Sequence, residues 1–301
     1  MIAHFKLAAQ PPLPVPAAED YARAALNASR GGWPGVTEYR DIPFGAGDWQ
    51  RFDLFTPTGG KDMDLMIFFH GGGWTNGYKE WCGFMAPALA AHGVALAAPT
   101  YRLAPGVRYP TFLEDALDAI AAIAAQARTY GGNPRRLFLA GHSAGGHVAA
   151  LAGLRSDLWA RHGIAPDTIK GCLPVSGILD LHHPNPPQGS LEERVYSDVL
   201  ADRQDDHDAS PLNWLSPLRL PLFLSWGTKD TERVQRSNTA AMDAVSGAAH
   251  RCWFRSYEKE AILAAPVVGM GIGSFFALSA IGSECRFFCY LKLGQRSHQS
   301  S

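Results

Sequence analysis

Five residues, Gly141-His142-Ser143-Ala144-Gly145, have the form G-x-S-x-G and lie between an apolar run, RLFLA, and a helix-forming run, GHVAALAGLR. Small residues on both sides permit a sharp strand-to-helix turn. Such a turn holds a serine hydroxyl exposed and leaves backbone N–H groups free at a helix N-terminus. Ser143 is therefore the candidate nucleophile. Acyl transfer also needs donors aimed at an oxyanion, brought in by a second loop at the same edge of a sheet. His70-Gly71-Gly72-Gly73-Trp74 follows the apolar run LMIFF about 70 residues before the serine. Glycines let a backbone turn its N–H groups inward, so Gly72, Gly73 and Ala144 form the candidate oxyanion hole. Trp74 and His142 fall in the candidate substrate pocket, and His70 reads as a ring that braces the loop.

A serine of this kind is activated by a histidine that a carboxylate orients, in the chain order Ser, acid, His. Asp230 stands in Gly227-Thr228-Lys229-Asp230, just past the apolar run Leu222 to Trp226, and is the candidate acid. Asp180 is the runner-up and reads as a turn or helix-cap aspartate. Only His250 and His298 follow Asp230. His250 is the candidate base by order, yet it opens the strand-forming stretch HRCWF. A full strand would leave it about five residues, at ~3.3 Å each, from the elbow. His298 sits in a polar tail. Because a triad is defined by geometry, His142, His182, His183 or His207 can be recruited instead.

The elements that must position these groups follow one design. LMIFF, VALAAPTY, RLFLAGHS, CLPVSG and LPLFLSWG are apolar runs ending in small or polar residues, as strands buried on both faces do. Between them lie helical stretches, EWCGFMAPALAAHG and FLEDALDAIAAIAAQARTYGG. The second places Phe112, Leu113, Ala116, Leu117, Ile120 and Ile123 at helical spacing. The alternation predicts an α/β domain with a mostly parallel central sheet and helices on both faces. We divide the chain into an N-terminal arm or cap (1–35), the α/β domain (36–260) and an atypical apolar tail (261–301). Residues 1 to about 18 form a Pro/Ala arm, and EDYARAALNAS a short helix after it. His182 to Asn213, rich in Pro, Asp and Gln, is a long excursion of the kind that roofs a pocket.

HGGGW at 70–74, YRLAP at 101–105 with YP at 109–110 and Glu114-Asp115, NPRRLFLAGHSAGGHVAAL at 133–151 and VSGILDL at 175–181 together resemble the α/β-hydrolase superfamily. The resemblance runs from about 50 to 260 and is to the hormone-sensitive-lipase-like esterases and the arylformamidase-like (kynurenine formamidase) branch. HSAGGH and the tryptophan after the glycines look more like the formamidase branch. The resemblance implies an α/β-hydrolase fold and a serine hydrolase that cleaves small carboxylic esters or aryl formamides through an acyl-enzyme, with no metal or organic cofactor. It also implies a base about thirty residues after the acid, in a loop that here reads RSYEKEA and holds no histidine. The alternative is a catalytically impaired hydrolase fold that binds a small ligand, similar to the gibberellin receptors.

Composition narrows the partners. With 301 residues, 47% of them hydrophobic, the chain can bury a large core. Scattered basic residues and a net charge of -1 give no footprint for nucleic acid. Small neutral or weakly charged substrates fit better, and the resemblance implies a small-molecule ester or formamide as the partner. Five cysteines, an odd number without metal spacing, point to a reducing, cytoplasmic compartment, and MIAHFKLAAQPPLPVPAAED has no signal-peptide pattern. DRQDDHD at 202–208 matches neither a calcium loop nor a two-histidine helix and reads as a solvated loop. The uncharged run Ala261 to Ser283 admits three readings: a tail anchor, a replaced last helix, or a C-terminus foreign to the resembled family. The abrupt end of the resemblance favours the third.

Overall fold

The computed structural model describes residues 7–13, 16–245 and 252–257. At its centre the five apolar runs form strands β3 (Met63–Phe69), β4 (Val94–Pro99), β5 (Gly132–His142), β6 (Ile169–Val175) and β7 (Leu222–Gly227). They are joined by β1 (Val36–Pro43), β2 (Arg51–Pro57) and β8 (Cys252–Tyr257) in one eight-stranded sheet, in the order β1-β2-β4-β3-β5-β6-β7-β8. The β1–β2 and β2–β4 pairs are antiparallel and every later pair is parallel. All parallel strands therefore end at the same edge of the sheet, where loops can meet.

Alternation along each strand explains why both faces are covered. Leu65, Ile67 and Phe69 of β3, with Ala95 and Ala97 of β4, join a core under α3 (Thr111–Gln126) and α4 (Ala144–Leu154). Met66 and Phe68, with Val94, Leu96 and Ala98, join the core on the opposite face, packed by Met85 and by Leu89 of α2 (Ala86–Ala90). Burying each such large apolar side chain stabilises the fold by about 1.5–3 kcal/mol. The α3 residues at helical spacing, Phe112 through Ile123, are all buried. Helix α4 is buried on all sides, Ala144 to Gly153, as expected of a central helix that is apolar all round.

Two parts of the chain differ from the sequence expectation. Only Ala86–Ala90 of EWCGFMAPALAAHG is α-helical, preceded by 3-10 turns at Lys79–Trp81 and Gly83–Met85. The strand predicted as HRCWF is Cys252–Tyr257, so Arg255, Ser256 and Tyr257 belong to β8 and not to the loop after it. Helix α1 (Pro16–Ala28) precedes β1, α5 (Leu191–Arg194) lies within the 182–213 excursion, and α6 (Glu232–Ala244) covers β7. Among the described residues no helix is long and apolar enough to cross a membrane. The run Ala261 to Ser283 and the whole 261–301 tail lie outside the described residues.

Candidate active site

Ser143 sits between the end of β5 and the start of α4 with φ 54° and ψ −118°. A side chain at positive φ is strained, and the surroundings must hold it there. Here the Ser143 N–H donates to the Val175 carbonyl at 2.9 Å, and its own carbonyl accepts the His147 N–H at 3.0 Å, the first bond of α4. The flanking glycines are required by contact. A Cβ at Gly141 would lie 2.2 Å from the Gly145 carbonyl oxygen, and one at Gly145 would lie 2.1 Å from that of Phe69. The G-x-S-x-G pattern thus records how closely α4 approaches the ends of β5 and β3.

The second loop leaves β3 at His70. Tyr101 donates its hydroxyl to the His70 carbonyl at 2.8 Å and stacks on the imidazole at a centroid distance of 4.5 Å. The His70 Nδ1 lies 2.8 Å from the Gly71 carbonyl, which holds the ring as a brace. Gly72 (φ 121°), Gly73 (φ 63°) and Trp74 (φ 61°) then reverse the chain. The N–H groups of Gly72, Gly73 and Ala144 donate to no described residue, and the Ala144 group belongs to the helix N-terminus, which leaves its first donors unpaired. Trp74 donates its indole N–H to Nδ1 of the buried His147 at 3.1 Å. His147 Nε2, which then carries the proton, donates to the Ala209 carbonyl at 2.7 Å.

Asp230 closes the turn after β7. Its Oδ2 accepts the Gly227 N–H at 2.8 Å and the Ser176 hydroxyl at 2.5 Å. Ser176 was not visible as a site residue in the sequence; it follows the apolar run of β6 at φ 46°, and VSG after a buried strand is the signal that marks it. Asp180, in contrast, accepts the His182 N–H at 2.9 Å and pairs with Arg236 at 3.3 Å. Burial pushes the His142 imidazole down from 6.5 to about 4, against the opposing pull of Asp230, so the ring is neutral at pH 7. Its face meets Tyr21 of α1 at 5.4 Å.

Ser143, Gly72, Gly73, Trp74, His142 and Asp230 line one cavity of about 620 Å³. Ala144 lies buried behind the serine. Ser176 and Tyr21 complete the wall near them, and His183 reaches it from the excursion. His182 and His207 are exposed and pair with Asp206 and Asp208. His250, the candidate base, lies outside the described residues. The strand after it begins at Cys252, paired with Leu222 at the start of β7, which is the sheet edge opposite the elbow. Among the described residues no group of three or more His, Cys, Asp or Glu side chains is placed to hold a metal ion.

Comparison with known proteins shows what the chain is similar to. Kynurenine formamidase of Salmo salar is 35% identical over 142 residues, 47% of this chain and 46% of the relative. Kynurenine formamidase of Danio rerio is 33% identical over 169 residues, 54% and 55% of the two chains. Esterase LipC of Mycobacterium tuberculosis is 30% identical over 193 residues, 60% of this chain and 47% of the relative. The chain spans about half the length of these curated relatives. Among solved structures, the hyperthermophilic esterase of Pyrobaculum calidifontis superposes with a TM-score of 0.68 at 18% identity, covering 86% of this chain and 91% of that one. Esterase B of Lactobacillus rhamnosis gives 0.65 at 19% identity, covering 80% of each. The BD-FAE family profile matches residues 52–244, more than half of the chain. Because that span contains the glycine loop, the elbow and the acid turn on an α/β-hydrolase fold, the chain belongs to the BD-FAE family.

Proposed function

We propose that the chain is a serine hydrolase that cleaves small carboxylic esters or aryl formamides through an acyl-enzyme. One observation carries the reading: Ser143, held at positive φ at the head of α4, shares a cavity with Gly72 and Gly73, whose N–H groups donate to no described residue, and the N–H of Ala144 follows it in the chain. In this reading Ser143 Oγ attacks the carbonyl carbon and gives its proton to the base. The oxyanion is held by the three N–H groups, where preorganised donors stabilise the transition state most. The base returns the proton to the departing alcohol or arylamine, and water then repeats the sequence on the acyl-enzyme. Asp230 orients the base, and His250 is assigned that role by chain order. Trp74 and His142 bound the substrate, whose size is limited by a cavity of about 620 Å³. Relatives named kynurenine formamidase and esterase support both substrate classes. The division into 1–35, 36–260 and 261–301 and a cytoplasmic location belong to the same proposal, and the free, buried Cys82 and Cys172 fit a reducing compartment.

A fluorophosphonate probe is expected to label Ser143. Ser143→Ala is expected to lower turnover of p-nitrophenyl acetate and N-formylkynurenine by roughly 10³-fold or more. His250→Ala should fall as far; an unchanged kcat would take the base away from His250. The second reading, an impaired hydrolase fold that binds a small ligand, is favoured by one observation: β8 opens at the edge remote from Ser143 just after His250. Labelling of Ser143 without turnover would select it.

A further inference from the structure

The N-terminal arm is joined to the glycine loop by side-chain hydrogen bonds to backbone, and one residue makes two of them. Gln10 Nε2 donates to the Gly77 carbonyl at 2.8 Å, and Gln10 Oε1 accepts the Gly77 N–H at 2.7 Å. A single amide thus takes both backbone groups of Gly77, as a neighbouring strand would. Asn76 Nδ2 donates to the Pro11 carbonyl at 2.5 Å, and the Tyr78 hydroxyl donates to the Ala8 carbonyl. Three successive residues of the loop, 76 to 78, are therefore held by the arm.

Those three residues back the turn that carries the candidate oxyanion donors. The Asn76 N–H donates to the Gly72 carbonyl at 2.9 Å. The Asn76 carbonyl oxygen occupies the space beside Gly72, 2.2 Å from where a Cβ would stand. Gly77 has φ 118°, and a Cβ there would meet His70 Nδ1 at 2.2 Å and the Gly71 carbonyl oxygen at 2.3 Å. The loop holds Gly72, Gly73, Trp74 and Gly77 at positive φ within six residues. Glycine enters this region freely, so three of these four positions do not fix their own conformation, and the turn keeps one arrangement only where contacts over-determine it. On one side the contacts come from Tyr101 and His70; on the other they come from the arm.

We propose that Gln10 is a positioning residue: by clamping both backbone groups of Gly77 it holds the Gly72–Gly73 turn with its N–H groups aimed at the oxyanion. The proposal rests on the serine-hydrolase reading of Ser143. A displacement of about 1 Å at such a turn suffices to cost up to ~10²-fold in rate without touching substrate affinity.

The test uses the full chain and two variants, Gln10→Ala and Tyr78→Phe, with two readouts. The first is backbone hydrogen exchange of the 70–77 segment. The second is kcat and KM for p-nitrophenyl acetate, expressed per serine labelled by the fluorophosphonate. Gln10→Ala is expected to speed exchange at 70–77 while β7 is unaffected, and to lower kcat per labelled serine on the order of ten-fold with KM nearly unchanged. Tyr78→Phe, which removes an arm contact outside the turn, should shift both in the same direction by less. A purely structural arm would lower the melting temperature and leave kcat per labelled serine as it was, and that result overturns the proposal. So does unchanged exchange at 70–77 in Gln10→Ala. A wild-type chain that takes no label sinks the serine-hydrolase reading, and with it the effect of Gln10 on turnover, whereas the exchange result still decides the clamp itself.

Discussion

At the scale of single residues, the site divides into groups announced by local pattern and groups brought in by the fold. Ser143, Gly72 and Gly73 are legible as candidates because a sharp turn tolerates few residue types, so the pattern is written in adjacent letters. Ser176 and Tyr21 are not, since each reaches the site through contacts with residues far away in the chain, Asp230 and His142. No periodicity encodes such a partner. Ser176 supplies a short hydrogen bond to Asp230 Oδ2, 2.5 Å long, beside the Gly227 N–H on the same oxygen. Hydrogen bonds to a charged group contribute about 1.5–3 kcal/mol, and here the bond fixes which way the carboxylate faces. Ser176→Ala is therefore expected to lower kcat on the order of ten-fold with little change in KM. In an Asp230→Asn background the same substitution should cost far less, because the two groups act as a unit. Equal losses in the two backgrounds would show that Ser176 acts independently of the acid.

At the scale of elements, continuous apolar runs revealed β3 to β7 because strands in a parallel sheet are buried on both faces. The same criterion passed over β1 and β2. β1, VTEYRDIP, is an edge strand with mixed exposure and a register shift between Tyr39 and Ile42, and neither makes an apolar run. The stretch around Trp81 looked like one helix, but 3-10 turns break it before Pro87. The join between α4 and the sheet depends on glycine for a reason that can be tested. A methyl group at Gly145 would press on the carbonyl oxygens of Phe69 and His70 at 2.1 and 2.4 Å, backbone atoms at the end of β3 that cannot yield. Overpacking of this sort typically costs 1–3 kcal/mol and occasionally more, on the order of several here because backbone must shift. Gly145→Ala is expected to lower the urea midpoint clearly. Gly106→Ala, whose new Cβ would meet only the Leu103 carbonyl at an ordinary 3.4 Å, should stay within about 0.5 kcal/mol of the parent. A pair of equal midpoints would refute the close approach of α4.

For the whole molecule, a chain with 47% hydrophobic residues folds with three imidazoles buried. His70, His142 and His147 are at most 7% exposed. Burial pushes each from 6.5 down to about 4, more than offsetting the backbone carbonyls near His70 and His147 and the Asp230 charge near His142. His147 shows why protonation is resisted: Trp74 donates to Nδ1 and Nε2 donates to Ala209, so a second ring proton would have to displace the indole donor. The sign follows from linkage. Between about pH 4 and 6.5 the unfolded chain binds a proton at each of these rings and the folded chain does not. Their contribution to stability is therefore complete above pH 6.5 and is lost as the pH falls toward 4. Each ring contributes a slope of up to about 1.4 kcal/mol per pH unit, so three together approach ~4. Urea unfolding followed from pH 7.5 to 5.0 should show a steep loss of stability corresponding to an uptake of two to three protons. His142→Phe, which keeps a flat ring against Tyr21 and removes one titrating group, should reduce that uptake by about one. A pH-independent midpoint across this window, or a His142→Phe chain with the parent slope, would mean that these rings accept protons in the folded state and that the sheet edge carrying the site is open to water.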